Sequence, residues 1–214
     1  MNPTSNCVQI LNFPERRTKI IAVTSCTPGE GKSTVSLSTA YSLAEAGKKV
    51  LFIDADLRKS VLTGRYKISG EMKGLTHFLS GQGDLSEILC KTNEKGLFVI
   101  FAGPVPPNPA ELLGSKKFAA LLKEARNIYD YIIIDTPPLG SVIDSAIVSA
   151  VCDAAILVIS ANTISYKFAR SVKDQLAKTG CNILGVVLNK VSMKQNKYYG
   201  KYYGKYYGHY GSDK

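Results

Sequence analysis

Short, β-branched apolar runs alternate along this chain with longer segments whose apolar residues recur at helical spacing. Ile20 to Thr24, Val50 to Asp54, Leu97 to Phe101, Tyr131 to Asp135, Ala154 to Ser160 and Ile183 to Leu188 have the length and near-continuous apolarity of strands buried on both faces. Ser33 to Ala46, Lys116 to Ile128 and Ser165 to Lys178 read as helices between them. That order predicts an α/β fold, a doubly wound, mostly parallel sheet flanked by helices, with ligands at the carboxyl ends of the strands.

Three stretches break the rhythm. Residues 1–18 lack periodicity and hold Pro3 and Pro14, so they read as an extended lead-in. Between Leu57 and Gly96, five glycines divide the chain into short helical pieces, and residues 103–115 begin too proline-rich for a helix and end in a helical turn. From residue 192, Lys-Tyr-Tyr-Gly repeats at Lys197, Lys201 and Lys205; a glycine every fourth residue and no aliphatic positions predict a flexible tail over 192–214. The domain is therefore expected over 19–191.

Composition narrows the class. At 214 residues and 45% hydrophobic, the chain can bury one sizeable core. No run nears the ~18 apolar residues of a membrane-spanning helix, and Met1 opens no secretory signal pattern. Five cysteines, odd in number and without metal-ligand spacing, point to a reduced cytosol; Cys26 alone borders a candidate site and is a candidate for oxidation. The net charge of +10 favours anionic partners, but +4 of it lies in the tail, so the excess is not one basic stripe.

The chemistry is written in three places. Thr24-Ser-Cys-Thr-Pro-Gly-Glu-Gly-Lys-Ser-Thr34 follows an apolar strand and opens a helix, the context in which backbone N–H groups and a helix N-terminus converge on phosphate. Lys32 is placed for the β- and γ-phosphates and the Ser33 hydroxyl for Mg²⁺; the general pattern's first glycine is replaced by Cys26. Two further apolar strands end in acids, Asp54-Ala-Asp56-Leu-Arg58 and Asp135-Thr-Pro-Pro138. A parallel sheet sets these ends beside the loop, where Asp54, Asp56 and Asp135 can surround a hydrated Mg²⁺. Arg58 can close on phosphate or anchor its own loop through a salt bridge.

With these motifs the chain resembles the catalytic domain of the bacterial protein-tyrosine kinases (BY-kinases) of capsular and exopolysaccharide biosynthesis, of the Gram-positive type. The likeness runs from about residue 18 to 210 and takes in Pro106-Pro-Asn-Pro-Ala-Glu-Leu-Leu113, Leu188-Asn-Lys190 and the tyrosine-rich end. It implies a P-loop fold like that of the partition ATPases and an ATP-dependent tyrosine autokinase. By resemblance, Lys32, Asp54, Asp56 and Arg58 form the catalytic set, with Asp54 taking the tyrosine proton. Thr27, Gly29, Glu30, Gly31, Lys32, Ser33, Thr34 and Asn189 bind ATP, and Ser33, Asp56 and Asp135 hold Mg²⁺. Asp54 and Asp56 can exchange roles as base, and Asn189 reads adenine or merely ends a strand. The competing reading is a nucleotide-switched partition-type ATPase whose tail docks a partner. That group carries an extra lysine early in the loop, where Thr27 stands.

Seven of the 12 tyrosines, Tyr198, Tyr199, Tyr202, Tyr203, Tyr206, Tyr207 and Tyr210, lie in the tail and are the expected phosphoacceptors, modified in trans. Four phosphates, each adding about −1.5 to −2, invert the tail's sign. A cationic tail entering a neighbour's acidic site, and repelled once phosphorylated, predicts a homo-oligomer through tail docking. Stacking on single-stranded nucleic acid or contact with anionic lipid are the bland alternatives for such a tail, and nucleic acid is not an expected partner. The resemblance also implies protein tyrosine substrates, a cognate phosphotyrosine phosphatase and a separate membrane-spanning activator or chain-length regulator. That activator would hold a cytoplasmic protein at the inner face of the membrane. Glu15-Arg16-Arg17 lacks the spacing of the family's ring-forming motif.

Overall fold

A computed structural model describes residues 18–65 and 73–191. Among them, seven strands form one sheet: β1 (Ile20–Ser25), β2 (Val50–Asp54), β3 (Leu89–Lys91), β4 (Leu97–Ile100), β5 (Tyr131–Asp135), β6 (Ala154–Ser160) and β7 (Asn182–Asn189). Their order is β3-β4-β2-β5-β1-β6-β7, parallel throughout except for β3, which pairs antiparallel with β4 at one edge.

The helices are α1 (Lys32–Glu45), α2 (Leu62–Arg65), α3 (Leu75–Leu79), α4 (Leu85–Ile88), α5 (Pro109–Leu113), α6 (Lys116–Ile128), α7 (Asp144–Ser149) and α8 (Tyr166–Ala177). Alternate residues of the central strands feed two apolar layers. Ile20, Ala22, Leu51, Ile53, Ile132 and Ile134 pack with Phe118, Leu122, Val172 and Leu176 on one face. Ile21, Val23, Phe52 and Ile133 pack with Val35, Ala40 and Leu43 of α1 on the other. Burial on both faces explains why these strands read as continuous apolar runs. The starts of α6 and α8 are set by Ser115 and Ser165, whose hydroxyls accept from the N–H groups of Phe118 and Phe168. Each such cap stabilises its helix by about 1 kcal/mol.

All six expected strands and three expected helices are present within two residues of their expected ends. Two elements escaped the pattern. β3 is three residues long with an exposed end, and α7 is six residues behind Pro137-Pro138; neither is long enough to show a period.

The strand order also locates the site. After β1 the chain runs outward to β2, whereas after β5 it crosses to β6 on the far side of β1, so the direction of winding reverses between the neighbours β1 and β5. Crevices at such switch points, beyond the strands' carboxyl ends, are where open α/β sheets bind ligands.

Candidate active site

The loop from Cys26 to Gly31 joins β1 to α1 over this crevice. Gly29 and Gly31 take left-handed backbone conformations, φ 82° and 91°, which side chains resist. A Cβ on Gly31 would also lie 2.2 Å from Nδ2 of Asn189. Glu30 is the loop's inner post: its buried carboxylate accepts from the N–H groups of Cys26 (2.7 Å) and Thr27 (2.8 Å) through Oε2 and of Ser160 (3.3 Å) through Oε1. The N–H groups of Gly29, Glu30, Gly31, Lys32 and Ser33 have no protein partner among the described residues. A row of unpaired amides at the start of a 14-residue helix is an anion-binding surface.

Facing it are the acids. β2 and β5 are in register at Asp54 and Asp135, and both carboxylates are buried. Lys32 Nζ lies 3.2 Å from Asp56 Oδ2, 3.4 Å from Asp135 Oδ2 and 3.2 Å from Ser33 Oγ. Ser36 donates to Asp135 Oδ1 at 3.1 Å. Asp54 accepts from the Asp56 N–H and from the Ser60 hydroxyl, and Asp56 accepts from the Lys59 N–H at 3.0 Å. Burial, followed by the nearby charge of Asp135, pushes the Asp54 carboxyl up to about 7. Burial raises Asp135 as well, against the opposing pull of Lys32 and the hydroxyls of Ser33 and Ser36. One ammonium thus sits among three buried carboxylates, one of which is tuned to hold or release a proton near neutrality.

Comparison with known proteins agrees with this geometry. A family model described as an AAA domain matches residues 18–179. The tyrosine-protein kinase CpsD of Streptococcus agalactiae serotype Ia is 49% identical over 182 residues, which are 85% of this chain and 78% of that protein. The chain belongs to the bacterial tyrosine-protein kinases. The solved VpsO kinase domain superposes on this kinase with a TM-score of 0.78 and 41% identity, covering 83% of this chain and 87% of that one. A septum site-determining protein MinD from Pyrococcus horikoshii, solved as a complex with Mg-ADP, matches at TM-score 0.67 and 27% identity, over 80% and 70% of the two chains. The kinase therefore shares its P-loop fold with MinD-like ATPases, as the order of its elements implies.

Within the kinase, several expected site residues are engaged in ways their spacing does not disclose. Thr27 gives its N–H to Glu30, and Glu30 turns its side chain inward, so what either can offer a nucleotide differs from what the motif suggests: the Glu30 amide, not its carboxylate, and not the Thr27 N–H. Thr34 N–H is bound to the Gly31 carbonyl at 3.1 Å. Cys26 is fully buried, and burial with the nearby Glu30 charge pushes its thiol up to about 12, so the oxidation-sensitive reading fails: reactivity needs thiolate. Asn189 spends one amide hydrogen on the Glu30 carbonyl (2.9 Å) and accepts the Lys190 N–H, which leaves its second amide hydrogen without a partner among the described residues. The tail tyrosines from Tyr198 to Tyr210 and lead-in residues 1–17 lie outside the described residues.

Of the two roles open to Arg58, the anchoring one has geometry. Its Nε and Nη2 bind Asp144 Oδ2 and Oδ1 at 2.7 and 2.9 Å, a bidentate pair from the first turn of α7. Asp144 is fully buried and is the functional-site neighbour that sequence reasoning missed; nothing in the order of residues links positions 86 apart. Arg58→Ala leaves that carboxylate buried and unpaired. Because the guanidinium is half exposed, the expected loss is about 2 kcal/mol, below the 3–5 typical of a fully buried pair. Adding Asp144→Leu to Arg58→Ala is expected to recover at least half of it. Urea unfolding of the two single variants and the double variant checks this, and strictly additive losses would show that the pair is not coupled.

Proposed function

We propose that this kinase is an ATP-dependent autokinase. Residues 19–191 form the catalytic domain, and neighbouring copies phosphorylate Tyr198, Tyr199, Tyr202, Tyr203, Tyr206, Tyr207 and Tyr210 in trans within the tail at 192–214. The supporting observation is the juxtaposition of Lys32 with buried Asp54, Asp56 and Asp135 beside unpaired loop amides.

Phosphoryl transfer asks a protein mainly to position the phosphoryl group and neutralise its charge. The amides of residues 29–33 and Lys32 supply donors for the phosphates. Asp54, with a pKa of about 7, is matched to accept the proton of an attacking tyrosine near neutral pH, and each of its oxygens keeps a lone pair. Asp56, nearest Lys32, is the alternative base.

Magnesium fits the donor set. Ser33, Asp56 and Asp135 offer only hard oxygens, brought together around Lys32. That combination suits Mg²⁺, which keeps several waters and takes few protein ligands. When bound, the ion supplies positive charge against the β- and γ-phosphates.

The biological setting we infer is control of capsule or exopolysaccharide synthesis and export, with a cognate phosphatase resetting the tail. Among the described residues no helix is long and apolar enough to cross a membrane. The reading includes a separate membrane-spanning activator that places the kinase at the inner face of the membrane. The tail's charge inversion makes docking onto a neighbour's acidic site self-limiting.

Incubation with γ-labelled ATP and Mg²⁺, followed by peptide mapping, tests the core of this reading. Label is expected on tail tyrosines, and native mass spectrometry should show oligomers dissociating as label accumulates. Release of free phosphate with no protein label would overturn it in favour of a partition-type switch.

A further inference from the structure

β7 does more than close the sheet edge. At its end, Lys190 takes a left-handed backbone conformation, φ 56°, uncommon for a residue with a side chain. From there its ammonium reaches back across the loop and donates to the Gly29 carbonyl at 2.6 Å, while Asn189 Nδ2 donates to the next carbonyl, that of Glu30, at 2.9 Å. In a trans peptide the C=O and N–H point in opposite directions. Holding the Gly29 carbonyl toward β7 therefore aims the Glu30 N–H away from β7, and holding the Glu30 carbonyl does the same for the Gly31 N–H. Both are among the unpaired amides.

We propose that Lys190 is a positioning residue for phosphoryl transfer: it orients the 29–30 peptide so that its N–H faces the nucleotide phosphates, without touching the nucleotide itself. The inference rests on the nucleotide site proposed above and adds a residue outside the loop that sets the loop's donor directions. Amides held this way grip the phosphates in the ground state and transition state alike, so their loss raises KM and leaves kcat nearly unchanged. Among the described residues the ammonium's hydrogen bond is to the Gly29 carbonyl, and Lys190→Met leaves the backbone N–H that donates to Asn189 in place, so the effect belongs to the phosphates and not to the base.

The test uses the whole chain with its activator, Mg·ADP as ligand and pyrophosphate as competitor. Lys190→Met is expected to weaken Mg·ADP and pyrophosphate by a common factor of about five to ten. It should raise KM for ATP similarly with kcat within about twofold, and leave the nucleotide-free unfolding midpoint unchanged. Lys190→Arg, which restores a charged donor, should recover most of the affinity. Unchanged ADP affinity in Lys190→Met, an ADP loss that pyrophosphate does not share, or a fall in kcat as large as the rise in KM would each overturn the proposal. Failure of the wild-type chain to bind Mg·ADP at all would instead overturn the nucleotide-site reading beneath it.

Discussion

Asp54→Asn is expected to lose phosphotransfer by at least about 100-fold while making the protein more stable at neutral pH. Asn keeps the shape of Asp54 and can still accept the Asp56 N–H, with its amide turned toward the Ser60 hydroxyl. What it cannot do is take a proton. The stability change follows from linkage. The folded-state pKa of about 7 lies above the ordinary value of 3.8, so the folded chain holds a proton that the unfolded chain has released between those two pH values. Wild-type stability therefore falls as pH rises through that window and levels above it. Asn has no charge to bury, so the variant should gain on the order of 2 kcal/mol at pH 8 and nothing at pH 4. Wild-type phosphotransfer should itself rise with pH through about 7. Denaturant unfolding at the two pH values and a labelled-ATP assay check both halves, and phosphotransfer within a few-fold of wild type in Asp54→Asn would remove Asp54 as the base.

Lys32→Met is expected to have the opposite effect on stability and a similar one on activity. The side chain is buried within 3.4 Å of two carboxylates, and its ammonium is the cation that the structure places between them. Removing it leaves Asp54, Asp56 and Asp135 gathered at neutral pH without a cation, a loss of about 3 kcal/mol, as for other broken buried pairs. Asp135 is already raised by burial, and the pull of Lys32 is the largest influence lowering it. Without Lys32 its folded pKa climbs further above the unfolded value, so the deficit relative to wild type should be fully present above neutrality and shrink as acid protonates the carboxylates. Phosphotransfer should fall by on the order of 100- to 1,000-fold, the usual cost of losing one preorganised electrostatic contact to developing charge. Unfolding at pH 5 and pH 8 tests the first statement; a Lys32→Met protein as stable as wild type at pH 8 would show that this ion triad does not carry charge balance.

The alternation of apolar runs and helical segments determined the fold class and, together with three motifs, the family. A strand buried on both faces has to be apolar at every position, and a phosphate loop needs glycine where φ is positive and lysine where charge must be met. These demands are local, so they are written locally: Val50 to Asp54, Tyr131 to Asp135 and Pro28 to Ser33 could be read as they stand. Only the tertiary structure decided which partner each functional group takes. Asp144 meets Arg58, Lys190 meets the Gly29 carbonyl, and Glu30 turns inward to the Cys26 and Thr27 amides instead of outward. A side-chain hydrogen bond is set by where two strand ends and a loop come together in space. Separations of 86 and 161 residues leave no period, spacing or composition from which such a meeting could be inferred.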